Sequence, residues 1–201
     1  AALEYESMRS ETPECLFHAL EQSGNWCLRS GWDRNADYLH FKCGSLGGGH
    51  GHFDKLHVDL SIAGEDVLID SGRYTYVDGS LRRQLKSSCA HNVPVVDWQE
   101  YTQCTGSWDV KGRTAPAGQD WSQKGPYTFL QGTHLGYLPA GVLVNRRIIS
   151  IGTRIHMIAD EFYGTGTHVL SQVFHLNPAG SVEMREDVFL YHGIRAEAAF
   201  Y

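Results

Sequence analysis

Leu56-His57-Val58-Asp59-Leu60-Ser61-Ile62-Ala63-Gly64-Glu65-Asp66-Val67-Leu68-Ile69-Asp70 decides the fold class. Val58, Leu60 and Ile62 alternate with polar neighbours, the period-two pattern of a strand with one buried face. Ala63-Gly64-Glu65-Asp66 then supplies turn residues before Val67, Leu68 and Ile69. The whole segment therefore predicts a hairpin that displays Asp70 at its exit. The same rhythm recurs at Tyr38-Leu-His-Phe-Lys-Cys43, and further strands are predicted over 93–96, 142–150, 154–161 and 168–176. Turns such as Tyr163-Gly-Thr-Gly-Thr167 divide them. These elements read as an all-β chain folded as an antiparallel β-sandwich. Two stretches depart from the rhythm. Residues 12–22 predict a short N-terminal helix, with Thr12 as N-cap, Pro13 at the first helical position, Glu14 in the first turn and Gly24 as the stop. Residues 102–127 are rich in Gly, Ser, Gln and Trp, and predict a long surface excursion.

With 201 residues, 42% of them hydrophobic, the chain is long enough for one well-buried domain. The formal charge of -6 and the lack of Lys or Arg runs interleaved with aromatics argue against nucleic acid as a partner. No apolar run is long enough for membrane insertion, and Ala1 to Ser10 carries Glu4, Glu6 and Arg9 where a signal peptide would need apolar residues. The chain starts without Met and stops at Phe200-Tyr201, as an excised fragment would. Five cysteines, with no CxxC pair, suggest neither a zinc ribbon nor a paired disulfide framework, and most read as small core residues.

Chemistry-bearing residues gather around Gly47-Gly48-Gly49-His50-Gly51-His52-Phe53-Asp54-Lys55-Leu56 and Asp70-Ser71-Gly72-Arg73-Tyr74-Thr75-Tyr76. In an extended chain, residues two apart face the same side, so His50 and His52 are expected to present both imidazoles together. The candidate metal set is His52, Asp70 and His91, with His50 as an alternative first ligand. Two neutral imidazoles and one carboxylate suit zinc. A zinc cupin also uses His-x-His but needs a Glu a few residues on, where this chain has Asp54 and Asp59. Tyr74 is a candidate proton donor or acceptor beside Arg73, whereas Tyr76 reads as a packing aromatic. Asn92 could bond a carboxylate or cap a turn, and Arg82, Arg83 and Lys86 read as a solvated turn or as a local field for an anionic polymer. The five tryptophans include candidate sugar platforms, although most are expected in the core. His40, His57, His134 and the remaining histidines read as structural.

Arg29-Ser-Gly-Trp32, the Gly47 to Leu56 motif, Leu68-Ile-Asp-Ser-Gly-Arg-Tyr-Thr-Tyr76 and Ala90-His-Asn92, in this order, resemble the C-terminal domain of the heparinase II/III family of polysaccharide lyases. Weaker likeness continues through Val144-Asn-Arg-Arg-Ile148, Met157-Ile-Ala-Asp-Glu161 and Gln172-Val-Phe-His-Leu176. The resemblance implies a β-sandwich over residues 25–201, with residues 1–24 as a helical connector from a preceding α/α-toroid domain. Its substrate would be an acidic, uronic-acid-containing polysaccharide cleaved by β-elimination; the alternative is a non-catalytic, zinc-stabilised β-sandwich that binds or supports carbohydrate. Carried across residue by residue, the resemblance implies His50 and Tyr74 at the catalytic centre and His52, Asp70 and His91 on a structural zinc. Asn92, Arg73 and Arg82 are the expected substrate-binding groups.

Overall fold

The computed structural model describes residues 11–46, 50–106, 108–112 and 114–201. Gly47 to Gly49 of the His-Gly-His motif, and Ala1 to Ser10, lie outside them. Two antiparallel sheets make the body of the fold. The first is a five-stranded meander of β1 (Phe17–Leu20), β2 (Asn25–Arg29), β3 (Tyr38–Lys42), β4 (His57–Ile62) and β5 (Glu65–Leu68). The second has the order β12 (Ile155–Gly164), β11 (Val142–Ile151), β10 (Tyr127–His134), β9 (Pro116–Lys124). Smaller pairings join β6 (Pro94–Val96) to β13 (Leu170–Gln172) and β7 (Gln103–Cys104) to β8 (Val110–Lys111). The strands β14 (Ser181–Arg185), β15 (Val188–His192) and β16 (Glu197–Phe200) form a third sheet.

Alternation explains how the two large sheets meet. Leu39 and Phe41 on β3 and Val58, Leu60 and Ile62 on β4 turn inward, against Leu130 on β10 and Val142, Val144 and Ile148 on β11. Each fully buried aliphatic or aromatic side chain stabilises the sandwich by about 1.5–3 kcal/mol. Gly132 on β10 keeps the sheets close, because a Cβ there would run into Cys43 and Leu56. The predicted hairpin is present, with β4 and β5 joined at Ala63 and Gly64, both in the left-handed region (φ 52° and 70°).

Several expectations are corrected. Residues 12–22 are not a helix, for Phe17–Leu20 pairs with β2 from Phe17↔Leu28 to Leu20↔Asn25. The apolar positions read as a helical stripe include Phe17, which packs on Trp121 at 5.1 Å between ring centroids, so tertiary contact overrides the local helix signals. Within the predicted excursion, Pro116–Lys124 is a nine-residue strand at the edge of the second sheet. Its polar, mostly exposed residues carry no apolar alternation, as suits an edge. The presumed solvated turn at Arg82 is a helix, α1 (Ser80–Lys86), with Arg82 and Lys86 buried. All five cysteines are free, but only Cys43 is buried, and among the tryptophans only Trp26 is.

Candidate functional site

Three chain segments meet where the sequence motifs lie. The loop from β3 to β4 carries His50 and His52, the exit of β5 carries Asp70, and a 3-10 turn (Ser88–Ala90) after α1 delivers His91. Gly51 is required between the two histidines, because a Cβ there would collide with the backbone of Leu46. Its neighbours then take different environments. His52 is half-buried and His50 is exposed, so the expectation that both imidazoles share one side is not met.

His52, Asp70 and His91 each offer one ligand atom within 4.8 Å of the others. The His91 ring, fully buried, donates from Nδ1 to Asp70 Oδ2 at 2.8 Å. That bond fixes its tautomer and leaves the Nε2 lone pair buried and without a hydrogen-bond partner. An orphaned acceptor beside a second imidazole and a carboxylate is what a cation would satisfy. Burial, followed by the neighbouring His91, lowers the His52 pKa to about 4, which keeps that imidazole neutral and able to ligate. Burial pushes the Asp70 carboxyl up, but the His91 hydrogen bond and charge, with the Gly72 N–H, outweigh it and hold Asp70 below the usual carboxylate range. The donor set thus fits a divalent cation such as zinc. Arg82 Nη1 donates to His52 Nε2 at 2.9 Å, so a cation captured at that nitrogen replaces one positive partner with another.

A buried array backs this cluster. Asn92 N–H donates to His57 Nδ1 at 2.9 Å, so His57 carries its proton on Nε2. That N–H points to Asp59 Oδ1 at 2.8 Å, with Asp70 Oδ2 at 3.8 Å. Asp59 Oδ2 also faces His40 Nδ1 at 3.1 Å. Burial acts to raise the Asp59 pKa, and the bonds from His40 and His57 overcome it to bring the value down to about 2. Arg146 ties the same region together, donating to the carbonyls of Leu56 at 2.8 Å and Asn92 at 2.6 Å while gripping Asp160 with two bonds of 2.7 Å.

On the exposed side, His50 packs edge-on against Tyr76 at 5.5 Å and Trp108 at 5.1 Å, and those two rings stack on each other at 5.3 Å. Arg73 Cζ lies 3.5 Å from the Tyr76 centroid. Tyr74, with φ 58°, stands 78% exposed and makes no ring contact with His50.

Two expected substrate-binding residues are therefore corrected. Asn92 is fully buried, its amide donating to Val58 O and Ile69 O and its Oδ1 accepting from His175 N–H, so it has nothing left for a ligand. Arg82 is buried against His52 and does not face solvent. Arg73 is exposed. Sequence reading took His57 as structural but did not link it to Asp59, although their i, i+2 spacing on a strand put them on one face. It did not single out Trp108 among the five candidate platforms and took Tyr76 for packing, because nothing local links residue 108 to the Asp70 loop.

Fold and site together define a two-sheet sandwich domain with a candidate metal group held in its loops. The profile of the family described as Heparinase II/III-like, C-terminal, matches residues 13–193, and the chain belongs to this family. A curated heparin-sulfate lyase of Pedobacter heparinus is 28% identical over 95 residues, 45% of this chain and 14% of that protein. The crystal structure of a heparan sulfate lyase HepC mutant from Pedobacter heparinus superposes with a TM-score of 0.76 at 20% identity, over 94% of this chain and 29% of that one. A heparinase III structure gives 0.70 at 19% identity, over 90% and 28%. The fold is thus shared with these structures, and the chain spans less than a third of their length.

Proposed function

We propose that this chain is the C-terminal domain of a polysaccharide lyase that cleaves a uronic-acid-containing polysaccharide by β-elimination, contributing part of the active site and a structural zinc site. The observation that carries this reading is the division at Gly51, where His52 enters the buried cluster while His50, two residues earlier, stays exposed beside Tyr76, Trp108 and Arg73. Heparan sulfate and heparin are the substrates named for the relatives, and both fall within the proposed class.

The chemistry sets the demands. Removal of the weakly acidic C5 proton leaves an electron pair that forms the C4=C5 double bond as the C4–O4 bond breaks, and the departing O4 takes up a proton. The uronate carboxylate must first be neutralised, which an exposed cation such as Arg73 can do. His50, exposed at the rim, is placed to take or give a proton, and Tyr74 is the second candidate for that work. His52, Asp70 and His91 would hold the metal. When bound, zinc supplies a cross-link between the Gly-rich loop, the hairpin exit and the turn after α1. Such a lyase also needs the opposite wall of its cleft, which an upstream α/α-toroid domain would provide.

The test is release of unsaturated uronate, read by its ultraviolet absorbance, from heparan sulfate, alginate and hyaluronan by the full-length protein. We expect product from at least one polymer and loss of most of it, about 100-fold or more, in His50→Ala. Full activity in that variant would remove His50 from the mechanism. No product from any uronate polymer would sink the lyase reading.

A further inference from the structure

The turn over residues 96–99 leads out of β6 and is closed by the Gln99 N–H, which donates to Val96 O at 3.0 Å. Its two central residues, Asp97 and Trp98, both lie in the left-handed region, with φ of 54° and 53°. Asn, Asp and Gly populate such turns, because bulkier side chains crowd the backbone there. Asp97 suits its place, since its carboxylate accepts from His168 Nδ1 and from the Val169 N–H, both at 2.8 Å. Trp98 gains nothing comparable. Trp26, Trp32, Trp108 and Trp121 each lie against another ring. Among the described residues Trp98 has no ring or cation against either face, and it stands 60% exposed. An exposed aromatic alone needs no explanation, whereas one held open at a cost in backbone strain calls for a role outside the fold.

Gln99, the next residue, opens a cleft of about 370 Å³ lined also by Thr102, Gln103, Lys111 and Tyr137. The side chains of Gln99, Gln103 and Lys111 are exposed and have no hydrogen-bond partner among the described residues. We propose that Trp98 and this cleft form a carbohydrate-holding surface. One pyranose of the acidic polysaccharide stacks on the Trp98 indole, and the hydroxyls of the adjoining sugar bond the two amides and the Lys111 ammonium. A pyranose offers an apolar C–H face to an open ring and a rim of hydroxyls to planar amides. The surface lies beyond the far end of β6 from the metal group, because His91 precedes that strand and Trp98 follows it. The proposal rests on the polysaccharide reading but gives Trp98 no part in bond cleavage. Val169, beside the turn, is also exposed. A protein partner seated there would have to desolvate the free amides and ammonium, which favours a hydroxyl-rich ligand.

The experiment measures retention of the full-length protein in gels containing heparan sulfate, alginate or hyaluronan. A His50→Ala background spares the polymer, and Trp98→Phe or Trp98→Gly is added to it. We expect Trp98→Gly to weaken retention by at least one polymer about three- to tenfold, and Trp98→Phe to keep most of it. Glycine adopts the left-handed turn freely, so Trp98→Gly should at the same time raise the urea midpoint. With His50 intact, turnover of a short uronate oligosaccharide should be the same in Trp98→Gly as in the wild type. A lower urea midpoint in Trp98→Gly would make Trp98 a structural residue and overturn the proposal. Retention unaffected by Trp98→Gly, or absent with all three polymers, overturns it as well. So does self-association in sedimentation that Trp98→Gly abolishes, which would assign the ring to a protein contact. In each case release of unsaturated uronate by the wild type leaves the lyase reading standing. Retention that depends on Trp98 without any such product would keep the surface and sink the lyase reading.

Discussion

At the residue scale, the fate of each imidazole follows from what its second nitrogen meets. His91 gives Nδ1–H to Asp70 and so keeps Nε2 bare. His57 is pinned in the opposite tautomer by the Asn92 backbone, and its Nε2–H holds Asp59. The purified, dialysed chain is expected to carry about one zinc, and a His52→Ala/His91→Ala variant none. Groups that orient ligands tune affinity, and Asp59 acts one step further out, through His57 and its 3.8 Å approach to Asp70, so Asp59→Asn is expected to weaken zinc binding by no more than about 10-fold while the far-ultraviolet circular dichroism stays unchanged. Competition with a chromophoric chelator measures this, and wild-type affinity in Asp59→Asn would deny Asp59 its supporting role.

At the element scale, β11 and β12 form a clamp. Arg146 and Asp160 are direct cross-strand neighbours, both with buried side chains. The free Arg146 nitrogen reaches the carbonyls at the start of β4 and just before β6. Breaking one partner of such a pair leaves a buried charge uncompensated, so Asp160→Asn should cost about 3–5 kcal/mol in urea unfolding. An Arg146→Met/Asp160→Leu double variant should recover much of that loss, and equal instability in single and double variants would show that the pair acts otherwise. The pair also gives a physical reason for the later motifs, Val144-Asn-Arg-Arg-Ile148 and Met157-Ile-Ala-Asp-Glu161. Fewer than half of the strands were legible in the sequence, β3, β4, β11 and β12 among them, because one face of each is apolar. Pro116–Lys124 was illegible because an edge strand paired on one side needs no apolar face, and Phe17–Leu20 because its partner lies across a turn rather than along a helix. Of the site, the three candidate ligands were legible from residue type and order. The burial of Asn92 and Arg82 was not, since a buried amide and a solvated one look alike in sequence.

At the scale of the whole molecule, stability is tied to pH through groups the fold keeps in one protonation state. Burial lowers the His134 pKa from 6.5 to about 3, so the unfolded chain takes up that proton first as pH falls. Asp59 at about 2 and Asp37, lowered despite burial by bonds from Ala63, Thr153 and Arg154, act in the same direction at lower pH. For each group the folded value lies below the unfolded one, so its stabilisation is complete above the unfolded pKa and is lost as pH falls. The urea midpoint should decline below about pH 6.5 and drop more steeply below about 4. A His134→Phe variant should make the first decline shallower, leaving the part owed to His52 and His156, which burial also lowers, and a midpoint constant from pH 7 to pH 4 would contradict the assignment.

The division at Gly51 has an evolutionary corollary. The face that His52 joins is locked to Asp70, His91, Asp59 and Arg146, where nearly any change is penalised in folding. The face that His50 joins consists of exposed side chains on loops, which the packing of the sandwich does not constrain. Change at Arg73, Tyr76 or Trp108 can therefore accumulate without unsettling the scaffold, which, under the proposed lyase function, gives one sandwich a means of drifting from one acidic polymer to another.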